Sequence, residues 1–402
     1  MQSSLALAEP ITPVPLKLVS ASALRVQLHH DDAALEALHY EWDELLDHSA
    51  QDSFFLRWAW VRLWWDTYAP PGSRLYLLTA RDDAGKLLGL APLYWQPRRF
   101  FGIPHLRDLN FLGTGIAIKS SEHLDIFARR GFERAAATAF AEFLRQRSDW
   151  DRLWLWGISG QSKMLSSLQE AFGEQLQTRC CDRRYYVATD SDWESVKQGW
   201  SGPIAHSLER YLKKLRQDYT VEFDRVETAA ELETAFADFI RLHQARWTAK
   251  GESGAFRYPK FEAFLRTASQ QALHQDRLRF WQLRLNGETT AVLLAFLNQG
   301  VVYGLQSGFD IKLQKYSLGS ILIAYCLQDA VNDPQIRQFD LMGGNSTYKS
   351  SWTSISCEAY ELEIFRSGFR TLLYLGGTKT RKLLSHLRRA ARNHLQRPAT
   401  TD

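Results

Sequence analysis

The chain has 402 residues, 45% of them apolar and 23% charged. At roughly 150 residues per domain this suggests two or three domains, and the composition excludes wholesale disorder and collagen-like repeats. The net charge of +4 is too small for a general nucleic-acid binder, and its excess is local: Arg366 to Asp402 holds nine Lys/Arg and one acid.

Residues 1–17 are Pro-interrupted and read as a loose segment without the basic start of a secretory signal. Helices are predicted over Asp31–His48 and over Phe54–Tyr68, where Phe54, Trp58, Val61 and Trp65 recur at helical spacing. Strands Leu75–Arg81 and Leu87–Tyr94 flank a Gly85 turn. Gly131–Arg147 reads as a helix, and Leu153–Gly157 and Arg184–Thr189 as strands. The polar stretch 190–201 marks a boundary.

Beyond it, a basic helix Leu208–Tyr219 precedes strand Val221–Val226 and helices Ala229–Lys250 and Lys260–His274. Strands Arg279–Leu285 and Thr290–Leu297 flank Asn286-Gly287, and Val301–Phe309 is a third strand. Thr289–Phe309 is uncharged over 21 residues, long enough for a membrane helix, but Asn298-Gln-Gly in its middle favours two strands and a tight turn. Helix Leu318–Asn332, strand Gln338–Met342, a short helix near Ser346–Trp352 and strand Glu358–Phe365 follow. The same element order occurs twice, half a chain apart. The expected organisation is an N-terminal lobe (18–190), a C-terminal lobe (202–366) and a basic tail (367–402).

Four cysteines without a C-x-x-C pair read as reduced cytoplasm. No phosphate-loop lysine motif, zinc-protease motif, hydrolase elbow or Cys/His cluster at metal spacing occurs, so no metal is expected.

The segment Gln314-Lys-Tyr-Ser-Leu-Gly-Ser320 carries the most chemistry. Small residues at 317, 319 and 320 let backbone approach a ligand, and the next helix offers unpaired N–H groups at its positive end. That suits a pyrophosphate; an ordinary serine-capped turn reads the same.

Hairpin, third strand, this loop, helix and strand in that order resemble the GNAT acyl-CoA transferase fold, with Ser317 where the family usually has glycine. The words Leu242-His-Gln-Ala-Arg-Trp247, Gly308-Phe-Asp310, Phe339-Asp-Leu-Met-Gly-Gly344 and Tyr348-Lys-Ser-Ser-Trp352, with Phe54-Phe-Leu-Arg-Trp58 upstream, resemble the CelD/BcsL-type acetyltransferases. They are more distantly similar to the Fem-type peptidoglycan aminoacyl transferases. The resemblance implies an α/β fold of two tandem GNAT-like lobes with mixed sheets flanked by helices. It also implies acetyl-CoA or another acyl-CoA as co-substrate, without metal, and an amine or hydroxyl acceptor, small or saccharide. On the Fem-type alternative the donor is aminoacyl-tRNA; a third possibility is a non-catalytic partner in polysaccharide biosynthesis.

By the same resemblance, Gln314, Lys315, Ser317, Leu318, Gly319 and Ser320 would hold the diphosphate, and the edge of Val301–Phe309 the pantetheine. Tyr348 would protonate the leaving thiolate, or simply pack on Trp352, four residues on. Lys349 would offset negative charge or be a solvated lysine. Asp310 and Asp340, at strand ends, and His243 are the candidate bases; Asp340 could equally fix its loop, and His243 could be structural.

Of 14 tryptophans, Trp58 and Trp65 read as core, while Trp60 and Trp64 suit an interdomain or sugar-stacking surface. Lys379–Arg397 has an apolar stripe and a basic face. It fits either transient contact with an anionic inner membrane, at about 1 kcal/mol per basic residue, or packing on the second lobe.

Overall fold

The computed structural model describes residues 24–100, 103–116, 119–344 and 347–376; the loose N-terminal segment and the amphipathic stretch 379–397 lie outside these. The N-terminal half runs β1 (Arg25–His29), α1 (Asp32–Ala37), α2 (His39–Asp47), α3 (Trp58–Tyr68), β2 (Arg74–Arg81), β3 (Leu87–Phe100), β4 (Ile103–Phe111), β5 (Phe127–Ala128), α4 (Glu133–Gln146), β6 (Arg152–Ser159), α5 (Lys163–Phe172) and β7 (Gln177–Ala188). The C-terminal half runs α6 (Trp193–Gln198), α7 (Gly202–Asp218), β8 (Val221–Arg225), α8 (Ala229–Ala249), α9 (Pro259–His274), β9 (Leu278–Leu285), β10 (Glu288–Asn298), β11 (Val301–Phe309), α10 (Leu318–Asn332), β12 (Gln338–Gly343), α11 (Thr347–Ser350) and β13 (Ser356–Phe365).

The described strands form one mixed sheet flanked by helices, in the order β1-β2-β3-β4-β6-β13-β7-β12-β11-β10-β9-β8, with β5 on β3. Read from either edge the order is the same until the centre, where the last strands are exchanged. β7 pairs with β12 of the other half, and β13 with β6. The halves are therefore joined by main-chain hydrogen bonds as well as side-chain packing.

One core runs through both halves: in the N-terminal half it covers both faces of the sheet, and in the C-terminal half the face of Val292, Leu294 and Phe296. Trp60 packs its ring edge-on to Phe264 (4.8 Å between centroids) and Phe296 (5.5 Å), and its N–H donates to Ser121 Oγ. Trp64 is fully buried with its N–H on Ser120 Oγ. Each ring buries roughly 1.5–3 kcal/mol of apolar surface. Trp60 is thus an interdomain residue, and neither it nor Trp64 offers a sugar platform. On the opposite face α7 and α10 close a second core around Trp281, Leu327 and Phe339.

Several elements differ from expectation. The helix predicted over 31–48 breaks at Leu38 into α1 and α2. Arg184–Thr189 is the tail of β7, whose first seven residues are too exposed and polar to show a strand period. β4 was not anticipated because Asp108 and Asn110 are buried in it; Arg98 and Arg152 neutralise Asp108, at 2.8 and 3.3 Å. The uncharged run 289–309 is β10 and β11 around a Gln299-Gly300 turn. No helix among the described residues is long and apolar enough to cross a membrane.

Candidate active site

β11 and β12 run parallel for only three pairs, Val301–Gln338, Val302–Phe339 and Tyr303–Asp340. Beyond them the strands separate. Leu305 is an extra residue in β11, since Leu294 faces Gln306 and Ala295 faces Gly304; such a bulge bends a strand and ends its pairing. The wedge so opened is a cleft of about 790 Å³, with Gly304–Phe309 along one wall. Among the described residues no strand pairs with the β12-facing edge of that segment, which leaves its backbone groups to a ligand.

The loop after β11 forms the cleft's end. Asp310 Oδ1 accepts the Lys312 N–H (2.8 Å) and starts a 3-10 turn over Ile311–Tyr316. Buried Tyr316 pins that turn by donating to the Asp218 carboxylate on α7. Ser317 then adopts φ 53°, ψ 47°, the left-handed conformation that glycine takes without strain. Its hydroxyl makes no capping bond. Its carbonyl accepts from Ser320 and Ile321, so the N–H groups of Leu318 and Gly319 have no partner among the described residues. These donors, at the positive end of a 15-residue helix, face the cleft.

Gln314, Ser317, Leu318, Gly319 and Ser320 all line the cleft, whereas Lys315 lies along the Tyr316 ring (4.8 Å) outside it. Tyr348 stands at the cleft, 42% exposed, beside Ser320, its hydroxyl donating to the Gly319 carbonyl (3.3 Å). It also meets Trp352 edge-on at 6.1 Å. Burial of its phenol holds the pKa above the usual tyrosine value, so it carries its proton at neutral pH.

Lys349 donates to the carbonyls of Met342 (3.1 Å) and Gly343, and burial lowers its pKa. Beside it the N-terminal half reaches in. Lys119 pairs with Glu122 (2.8 Å) and Asp182 (2.9 Å); Glu122 and Asp182 accept the N–H groups of Gly343 and Gly344. A Cβ at Gly343 would lie 2.3 Å from Asp182 Oδ2 and 2.8 Å from Glu122 Oε2, so this approach requires glycine. Burial alone would raise the Glu122 pKa, but Lys119 and Arg184 hold it below the usual glutamate range.

The three candidate bases lie apart from this cleft. His243 is 1% exposed among Phe239, Trp247 and Phe256, and burial drives its pKa down to about 4. Asp310 is occupied with its turn. Asp340 is fully buried and accepts the Met342 N–H (2.6 Å); strand alternation turns it to the face opposite Phe339 and Leu341, which line the cleft.

Sequence reasoning missed Arg246 and Lys250, which α8 adds to the cleft, Arg246 with its guanidinium over Phe309 (4.8 Å). The word around His243 contained Arg246, and helical spacing alone did not say which side chain faces the cleft. Lys119 and Glu122 had no sequence signal, because they arrive from a loop in the other half.

Residues 205–350 match the family described as Acetyltransferase (GNAT) domain. Among solved structures, FemX is similar over 84% of this chain and 97% of its own (TM-score 0.58, 9% identity). A conserved protein of unknown function from Bacteroides thetaiotaomicron is similar over 85% and 100% (0.54, 10%). The C-terminal domain of a putative lysylphosphatidylglycerol synthetase from Agrobacterium fabrum is similar over 86% and 96% (0.50, 13%). At these identities the likeness is one of fold. No curated protein matches the sequence.

Proposed function

We propose that the protein is an acyltransferase that moves an acyl group, in the simplest case acetyl, from acyl-CoA to an amine or hydroxyl. The observation that carries this reading is the meeting, in one cleft, of the open β11 edge with the unpaired amides of Leu318 and Gly319. The edge would bond pantetheine amides and the helix start the diphosphate. Arg246 and Lys250 would add positive charge along the way. Tyr348 is proposed as the proton donor to the departing thiolate, and Lys349 as a nearby cation that also fixes the Gly343 bend. The resemblance to CelD/BcsL-type enzymes suggests an acceptor in envelope polysaccharide or its precursors. The two halves would be lobes of a diverged duplication.

Exposed Arg210, Lys213, Lys214 and Arg216 on α7, next to the diphosphate loop, favour a second reading, a Fem-type transferase using aminoacyl-tRNA. Calorimetry with acetyl-CoA and CoA separates the two. Binding near 1 μM, about 8 kcal/mol, that weakens at least tenfold in Gly319→Val supports the acyl-CoA reading, since a Cβ there would sit 3.3 Å from the Phe309 ring. Absent CoA binding with tRNA binding that falls steeply with salt supports the second. Neither would leave a non-catalytic partner of a polysaccharide complex.

A further inference from the structure

The sheet opens just past the Tyr303–Asp340 pair, and its two faces look into different spaces. Gln338 and Asp340 face a second chamber of about 320 Å³, closed from the N-terminal half by Gln51, His123, Asp125 and Ser162 and roofed by Tyr186 and Tyr303. At its inner end the His123 ring lies near-parallel to Phe55 (6.4 Å) and edge-on to Tyr303 (5.3 Å). His123 Nε2 is 2.7 Å from Asp340 Oδ2, in contact though off the line of a straight hydrogen bond.

The chamber's own polar groups are short of donors. Asp125 Oδ1 and Gln51 Oε1 are buried with no hydrogen-bond partner among the described residues, and Asp125 is 3% exposed. Burial pushes the Asp125 carboxyl up to about 7, against the opposing pull of the nearby Ser162 hydroxyl, Ile126 N–H and Arg184. Buried acceptors left this way are costly unless something fills them. A ligand rich in N–H and O–H groups would. The volume is near the lower end of ligand pockets, which suits one compact unit rather than a chain.

We propose that this second chamber receives the acyl acceptor, an amine- or hydroxyl-bearing unit about the size of one sugar ring, and that His123, positioned by Asp340, is the base that takes its proton. The proposal rests on the acyl-CoA reading above, with the thioester reaching the seam from the other face. The acceptor's nitrogen or oxygen bonds to the acyl carbon and the carbon–sulfur bond breaks. The acceptor's proton passes to His123, and the sulfur, leaving with the bonding pair, takes a proton from Tyr348. Solvent then relieves His123 of one proton and returns one to Tyr348.

The test is thiol release from acetyl-CoA by the full chain, with and without glucosamine, beside calorimetry of acetyl-CoA binding. His123 has φ 51°, and asparagine tolerates that region, so His123→Asn is the variant of choice. It should bind acetyl-CoA within twofold of wild type and release thiol about 100-fold more slowly, with partial rescue by added imidazole. Asp340→Asn, which keeps an acceptor for the Met342 N–H, should lower kcat and leave the KM for glucosamine in place. Gln161→Trp, at the exposed rim of the chamber, should raise that KM without touching acetyl-CoA affinity. Wild-type release by His123→Asn overturns the base. A wild-type protein that binds acetyl-CoA yet releases thiol neither to water nor to glucosamine overturns the chamber's assignment. Loss of acetyl-CoA binding in the wild type is a different failure, that of the acyl-CoA reading itself.

Discussion

The two halves repeat one strand order, yet the cleft is built in the second. In the C-terminal half β12 pairs with the first three residues of β11, so the rest of β11 is left open. In the N-terminal half β6 pairs with Asp108, Leu109 and Asn110 at the far end of β4, and almost no strand remains beyond to form a wedge. The helix starts differ in the same sense. At α10 the first amides are open. At α4 the buried Glu133 carboxylate accepts the Gly131 N–H (2.8 Å) and supplies the negative charge that a ligand would bring. A shift of register by a few residues and one carboxylate thus separate a half with an open strand edge and open helix amides from one without them. The N-terminal half also contributes Lys119, Glu122 and Asp182 beside the cleft.

The sharpest way to break this comparison is to sever the contribution across the seam. Glu122→Gln should cost about 3 kcal/mol at pH 7, because it removes the buried counter-charge of Arg184 and leaves Lys119 with Asp182 alone; denaturant unfolding measures it. Since the folded-state pKa of Glu122 is depressed, its stabilisation is present above about pH 4.3 and fades as pH falls through the lowered value. The variant should therefore lose less stability on acidification than wild type. Equal acid limbs would remove the charge cluster from the account.

Next in size is Tyr348→Phe. It should lower kcat about 100-fold, as expected for loss of a general acid, with acetyl-CoA affinity within twofold. Full turnover would return Tyr348 to a packing role against Trp352.

The smallest effects sharpen the contrast between halves and between His243 and a true base. Glu133→Gln should leave acetyl-CoA affinity as it is, since no residue of α4 lines the cleft. His243→Phe should leave the pH profile of kcat/KM unmoved between pH 5 and 8, because His243 is neutral down to about pH 4. In the native protein the same depressed value makes stability fall as pH drops from about 6.5 toward about 4, a loss the variant removes. A shifted profile would bring His243 back as a base.

The tight bend at 314–320 ahead of α10 was legible because small side chains and a following apolar helix are local facts. The double helix–hairpin order was legible for the same reason. Lys315 was misread because consecutive loop residues point to different sides, and here the Tyr316 ring draws it away. The side of the sheet to which Asp340 points was beyond the sequence. One residue of strand register decides it, and that register is held between β11 and β7, the latter a strand from the other half.

By itself, then, the sequence determined the elements whose stabilising contacts lie within a turn or two: the helices with their apolar stripes, the Gly-marked hairpins and the small-residue bend before α10. The tertiary structure alone decided where β11 leaves β12, which carboxylates meet Gly343, and that His123 and Asp340 share a chamber. Those outcomes depend on pairings between residues up to 221 positions apart, as in Glu122 with Gly343, and no local pattern of side chains encodes a contact whose two partners are chosen by separate halves of the fold.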